Sequence, residues 1–310
     1  MNQGRAGTAL AAALAVALAV TGCGTSFMSA EVTGTTTTIS AIGAENTYAG
    51  VLSQIGGRYV RVSSILNNPS TNPHAFEVSP DVARQVSAAT LIVQNGAGYD
   101  SFMNKIESAS PNPRRKMIVV QHLLGLPDHT PNPHLWYSPA AMPAAAKAMA
   151  GALSALEPTH AAYFAANLQA FDRSLDPWLR AIARFRARYP RTPVATTEPV
   201  ADDMLRAAGT DDLTPFSFQA DIMNGVDPTV QDTARENGLF ARHQVKVFVY
   251  NQQVVSALTN SFRESALRAG VPVVGVYETV PAGYDYQSWM LAEVNALDKA
   301  VAGHVSTPGL

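Results

Sequence analysis

Two histidines stand in matching frames. His134 lies in Asn132-Pro133-His134-Leu135-Trp136-Tyr137-Ser138-Pro139, and His74 in Asn72-Pro73-His74-Ala75-Phe76-Glu77-Val78-Ser79-Pro80. Each copy reads Asn-Pro-His, an apolar residue, an aromatic and, a few residues on, Ser-Pro. Proline after asparagine holds the chain extended and keeps a helix from running into the histidine. Ser-Pro offers an N-cap followed by the favoured first helical residue, so the pattern predicts a helix just after each copy. Two imidazoles presented on stiff loops point first to metal binding.

Two carboxylates join them. Glu198, in Thr197-Glu198-Pro199, and Glu278, in Tyr277-Glu278-Thr279, each follow an apolar run with strand character. Two neutral nitrogen donors and two anionic oxygen donors suit a divalent first-row metal ion. Taken singly, each has a plainer reading: Glu198 as a charge at a helix N-terminus, Glu278 as a loop surface residue. His122 and His129 share the loop region of His134 and read as solvated, with an accessory or entry role for His129 as the alternative. His160, His243 and His304 read as surface residues. Asp285, ahead of the last helical pattern, reads as an N-cap.

The elements that must position these residues alternate between strand and helix. Strand patterns cover 37–42, 60–65, 90–93 and 117–121; helical patterns cover 47–55, 80–89, 101–108 and 140–156. The stretch 157–189 differs: apolar and aromatic residues recur at helical spacing (Tyr163, Leu168, Phe171, Leu175, Leu179, Ile182, Phe185), and arginines gather at its end. Pro177 should kink or break it after Leu175. Alternation then resumes, with strands at 192–196, 213–218, 245–250 and 272–277 and helices at 200–208, 227–242, 254–269 and 286–302. This is an α/β pattern: two (β/α)4 lobes with parallel sheets, joined by a long connecting helix. Ligands of such sheets sit beyond the carboxyl ends of the strands, so facing lobes would close His74, His134, Glu198 and Glu278 around one ion in the inter-lobe cleft. The expected divisions are a signal peptide at 1–22, a lipidated cysteine and tether at 23–36, an N-terminal lobe at 37–156, a connector at 157–190 and a C-terminal lobe at 191–310.

The chain has 310 residues, 47% hydrophobic and 15% charged, with a formal charge of −2; it carries no electrostatic footprint for nucleic acid. Arg5 precedes an apolar run from Ala9 to Val20, of signal-peptide length and short for a membrane span. The run leads into Val20-Thr21-Gly22-Cys23, and Cys23 is the only cysteine, which excludes an internal disulfide. That ending resembles the lipobox of bacterial lipoproteins, which implies cleavage before Cys23 and a lipid anchor on its thiol; an uncleaved anchor helix is the alternative. Either way the remainder is expected to be exported and held at a membrane.

From about Thr38 onward the chain resembles the substrate-binding lipoproteins of bacterial zinc and manganese ABC importers. The resemblance rests on the order of Asn-Pro-His-Ala-Phe-Glu, Asn95-Gly96-Ala97-Gly98, Asn-Pro-His-Leu-Trp-Tyr-Ser-Pro, Tyr163, Asn167, Glu198 and Glu278. It implies metal ligands at His74, His134, Glu198 and Glu278, one divalent ion (Zn²⁺ or Mn²⁺) as transported ligand, an ABC permease as partner, no enzymatic activity and a monomer. The family usually has Asp-Pro-His where this chain twice has Asn-Pro-His; asparagine keeps the turn's hydrogen bonding and removes a negative charge. Its last ligand is often Asp, so the longer Glu278 is expected to bind bidentately or sit farther back. The short 121–133 stretch and a Glu at position 198 tilt the reading toward manganese, although zinc suits two His and two carboxylates. Two other readings remain: a binding protein for an organic ligand or metal chelate, kept open by Trp136, Tyr284 and Tyr286, and an envelope metallohydrolase, for which Asp285 is the one spare base.

Overall fold

A computed structural model describes residues 38–70 and 76–310. The first sheet collects β1 (Ile39–Glu45), β2 (Val60–Leu66), β3 (Leu91–Gln94) and β4 (Lys116–Val119) in the order β2-β1-β3-β4. All three pairings are parallel, with Ile39 opposite Val60 and Ala41 opposite Leu91. The second sheet collects β5 (Pro193–Thr196), β6 (Asp211–Asp212), β7 (Val247–Asn251) and β8 (Val273–Val276) in the order β6-β5-β7-β8, again all parallel. Strands β3, β7 and β8 are buried along their whole length, as strands covered by helices on both faces must be.

In the first lobe the helices are α1 (Asn46–Gly56), α2 (Pro80–Ala88), α3 (Phe102–Ala109), the single turn α4 (Val120–Leu123) and α5 (Ala141–Leu156). Ser79 caps α2 by accepting from the Val82 amide, with Pro80 in the first position, as the first Ser-Pro pair predicts. The second pair behaves differently. Leu135–Tyr137 winds into a 3-10 turn that uses up Ser138 as its end, and α5 starts at Ala141 without a side-chain cap. Packing explains the difference: Leu135, Trp136 and Tyr137 are all driven into the core, which tightens the chain before the helix begins.

Two helices follow, α6 (Ala161–Ser174) and α7 (Asp176–Arg188), parted at Leu175. Pro177 occupies the opening turn of α7, where its missing amide costs nothing. The second lobe adds α8 (Asp202–Ala207), α9 (Phe216–Met223), α10 (Val230–Ala241), α11 (Ala257–Arg268) and α12 (Tyr286–Gly303). Here one expectation fails. The strand expected over 213–218 is only Asp211–Asp212, and Phe216 opens α9. The apolar run Leu213–Phe218 lacks strict alternation, and Pro215 starts a helix as readily as it ends a strand.

One apolar core runs between the sheets. Trp178 of α7, Tyr286 and Trp289 of α12, Phe164 and Phe171 of α6, and Trp136 and Tyr137 pack into the same cluster as Val93, Val194 and Val276. The lobes are also stitched by polar contacts. The Asn46 side chain exchanges two hydrogen bonds with the Val280 backbone (2.9 and 3.1 Å), Gln54 meets Gln287 (2.6 Å), and Tyr286 Oη donates to the Trp136 carbonyl (2.7 Å).

Helix α12 begins with a capping box: Asp285 accepts from the Ser288 amide (2.8 Å) while Ser288 Oγ accepts from the Asp285 amide (3.0 Å). Asp285 is thereby an N-cap, and its carboxylate is directed to its own helix. Replacing it with alanine should cost about 1 kcal/mol of stability, read as a lower denaturation midpoint, with metal affinity unchanged.

Candidate metal centre

The carboxyl ends of the strands of both sheets meet across the lobe seam, and His134, Glu198 and Glu278 lie there. Sequence logic places His134 on a stiff loop, and the structure shows how the loop is held. Asn95 Nδ2 donates to the Pro133 carbonyl (2.7 Å), and Asn132 Oδ1 accepts both the His134 amide (3.0 Å) and ring Nδ1 (2.9 Å). The second bond puts the ring proton on Nδ1 and turns the Nε2 lone pair outward. Nε2 faces Glu278 Oε2 at 3.3 Å, with both side chains fully buried. Tyr99 and Trp136 pack against the imidazole in T-shaped pairs, with centroids 5.7 and 5.5 Å away.

Glu278 follows β8 directly. Its Oε2 also accepts from Tyr99 Oη (2.9 Å), and its Oε1 accepts from Asn251 Nδ2 (2.7 Å). The turn carrying it is fixed by Gln253, whose Oε1 accepts the Glu278 and Thr279 amides (2.7 and 2.9 Å). Glu198, two residues beyond β5, is 2% exposed; its Oε1 accepts from the same Asn251 amide (3.1 Å), and its Oε2 has no hydrogen-bond partner among the described residues. Burial first, then the Glu278 charge, push the Glu198 carboxyl well above the usual range, and the Asn251 hydrogen bond opposes them. Two carboxylates and an imidazole lone pair thus lie buried together. Such a group needs protons or a cation to be stable.

Among the described residues no three His, Cys, Asp or Glu side chains form a ready metal cluster. His134 meets Glu278 directly, and Glu198 joins them through Asn251. His74 lies outside the described residues, as does Cys23. His122, His129, His243 and His304 are exposed, and His160 stacks on Tyr59 at 3.7 Å.

Residues 44–300 match the model of the periplasmic zinc-uptake complex component A family. The chain belongs to that family. A putative metal-binding protein of Thermotoga maritima is 34% identical over 98 residues, 30% of this chain and 33% of its own. The manganese-binding lipoprotein MntA of Bacillus subtilis is 27% identical over 191 residues, 55% and 58% of the two chains. The matches thus span about a third and somewhat over half of these curated relatives. The fold is that of the periplasmic zinc-binding protein TroA of Treponema pallidum, with a TM-score of 0.72 at 17% identity, covering 86% of this chain and 99% of that one.

Within this member of the zinc-uptake component A family, several residues that build the site are silent in sequence reasoning. Asn251, Gln253 and Tyr99 are the main ones. A signal for the first two existed: Asn251-Gln252-Gln253 is a polar run set directly after the clearest buried strand, at the sheet edge where ligands bind. Tyr99 follows the Asn95–Gly98 turn, which needs glycine because Gly96 has φ +79° and a Cβ there would stand 2.7 Å from Gln121 Oε1.

Behind the site, Tyr137 Oη donates to the Tyr277 carbonyl (2.8 Å) and lies 3.1 Å from Glu293 Oε1, which also accepts from Trp289 Nε1 (2.7 Å). Burial pushes the Glu293 carboxyl up to about 8. An acid raised in the folded state favours folding while it stays protonated. That contribution is fully present below the unfolded value of about 4.3, declines as pH rises, and is gone above about 8. Glu236, also raised to about 8, acts in the same direction. Chemical denaturation at pH 6 and pH 8.5 should show lower stability at the higher pH, and Glu293→Gln should flatten part of that difference.

Proposed function

We propose that the protein is an extracytoplasmic receptor that captures one divalent metal ion, Zn²⁺ or Mn²⁺, between its lobes and delivers it to an ABC-type permease. The observation that carries this reading is the seam contact itself. Nε2 of His134, from one lobe, is aimed at Glu278 Oε2 from the other at 3.3 Å, with Nδ1 tied off by Asn132 and, nearby, a buried Glu198 oxygen that has no hydrogen-bond partner among the described residues. Two acceptors at that distance repel unless a proton or a cation lies between them. His74, placed by its matching Asn-Pro-His frame, would supply the fourth ligand. Membership of the zinc-uptake component A family supports the reading, as do the metals in the names of its relatives: manganese for MntA, zinc for TroA.

The donor set fits the cargo. Two imidazole nitrogens and two carboxylates satisfy a divalent ion of either kind and offset its charge. Drawing ligands from both lobes also gives a route to release: separating the lobes parts His134 from Glu278 and Glu198, and no single lobe retains the full set. The burial of His134, Glu198 and Glu278 favours a closed receptor over a hydrolase, which needs an open metal position with water and a base. The short gap between His134 and Glu278 leaves no room there for an organic ligand.

Calorimetric titration of metal-stripped protein should reveal one tight site for Zn²⁺ or Mn²⁺. His134→Ala or Glu278→Ala should weaken it by about a hundredfold or more, with the circular dichroism spectrum unchanged. Unaltered affinity in either variant removes that residue from the site.

The anchor forms the second part of the proposal. Lipidation of Cys23 after cleavage would hold the receptor beside its permease by its acyl chains, with 24–36 as a tether. In cells, the wild-type protein should fractionate with membranes and Cys23→Ser should not; equal membrane association of the two would exclude the anchor.

A further inference from the structure

We propose that Gln219 is a positioning residue that clamps both ends of the loop carrying Glu198 and so holds that carboxylate at the metal centre. This inference rests on the receptor reading above, in which Glu198 ligates the ion.

Glu198 lies between two fixed points. Thr196 ends β5 and Asp202 opens α8, and the chain between them passes through Glu198-Pro199. Both points turn their side chains to one residue of a third element. Gln219 of α9 is 2% exposed. Its Nε2 donates to Thr196 Oγ1 (2.6 Å) and to Asp212 Oδ2 (2.9 Å), with the two Asp202 carboxylate oxygens at 3.4 and 3.5 Å. Thr196 Oγ1 donates to Asp212 Oδ2 (3.1 Å), which leaves its lone pairs to the Gln219 amide. Carboxylates only accept, so the nitrogen of Gln219 and not its oxygen must face them.

The clamp stands on a rigid base. Phe218 and Ile222 of α9 pack in an apolar cluster with Ala195 of β5 and Phe262, and the Phe218 and Phe262 ring centroids are 5.1 Å apart. Asp212 is itself held by the Thr214 amide (2.9 Å), and Thr214 Oγ1 accepts the Thr196 amide (2.9 Å). Thr196 is thus pinned by backbone and side chain alike. Burial first, then the charge of Asp212, push the Asp202 carboxyl up to about 7. Like charges on β6 and α8 repel, and the Gln219 amide between them offsets that repulsion.

The loops of His134 and Glu278 use the same device. Asn95 closes the first and Gln253 the second, each a buried side-chain amide. A neutral amide suits the task because it satisfies its partners without adding a charge that competes with the ion. Without Gln219, Thr196 and Asp202 lose their common partner, the ends of the loop are free to separate, and Glu198 loses its fixed place.

A double-mutant cycle in Zn²⁺ affinity on purified protein tests the proposal, with circular dichroism and the denaturation midpoint recorded for each variant. Gln219→Met keeps the length of the side chain and removes its hydrogen-bonding groups. It should weaken Zn²⁺ binding by about tenfold in the wild-type background and by less than about twofold in the Glu198→Gln background. Equal losses in the two backgrounds, or no loss in the folded single variant, overturn the proposal and leave the receptor reading standing. Wild-type affinity in Glu198→Gln removes Glu198 from the site and overturns the proposal as well. If Glu198→Gln binds too weakly to titrate, the visible spectrum of bound Co²⁺ decides: it should differ between wild type and Gln219→Met, and identical spectra overturn the proposal. If Gln219→Met does not fold, Thr196→Val takes its place in the cycle. Thr196→Ser, which keeps the hydroxyl, should then bind as the wild type does, and a loss as deep as that of Thr196→Val overturns the proposal. Failure of the wild type to bind Zn²⁺ or Mn²⁺ overturns the receptor reading, and this inference with it.

Discussion

Much of the structure depends on one electrostatic problem at the lobe seam. Nε2 of His134 and Oε2 of Glu278 face each other at 3.3 Å, each an acceptor when the ring proton sits on Nδ1. A second carboxylate, Glu198, shares the same buried volume. In water such an arrangement would dissolve. Inside a protein it persists only where surrounding donors hold each group in place and a cation or protons offset the charge. The donors are here: Asn132 on the ring, Tyr99 on one Glu278 oxygen and Asn251 on the other.

Those donors are themselves placed by the fold. Asn251 ends β7 and Tyr99 follows β3, both central strands of parallel sheets whose carboxyl edges face the seam. Gln253 closes the turn that carries Glu278, and Asn95 closes the loop that carries His134. Each polar residue at a strand end satisfies a backbone group first and only then offers a side chain to the site. This is why the site geometry is stiff although most of its members lie on loops.

In the proposed receptor the seam would part for an ion to enter and leave. The contacts that span it are of two kinds. Near the site they are polar and directional, as between Asn46 and Val280, or Tyr137 and Tyr277. Beneath, an aromatic layer of Trp178, Tyr286, Trp289 and Trp136 joins α7 and α12 to the first lobe. Hydrogen bonds demand a particular geometry, whereas apolar burial is non-directional and tolerates sliding. In that proposal the first set would favour one closed arrangement, and the second would keep the lobes associated when it loosens.

The sequence by itself determined the α/β alternation, the two parallel sheets, the first Ser-Pro cap, the Asp285 cap and the break at Leu175. All of these follow from local rules: hydrophobic period, capping chemistry and the steric demands of proline. It also nominated His134, Glu198 and Glu278, because they follow strands at the edge where such sheets bind ligands. It misread 213–218 as a strand and the second Ser-Pro as a cap, since Phe216 and Leu135–Tyr137 answer to packing rather than to local propensity. Only the tertiary structure decided that Asn251 and Tyr99 serve the site, and which oxygen of each carboxylate they occupy. Those bonds join residues 27, 53 and 179 positions apart, a separation over which no local pattern carries information.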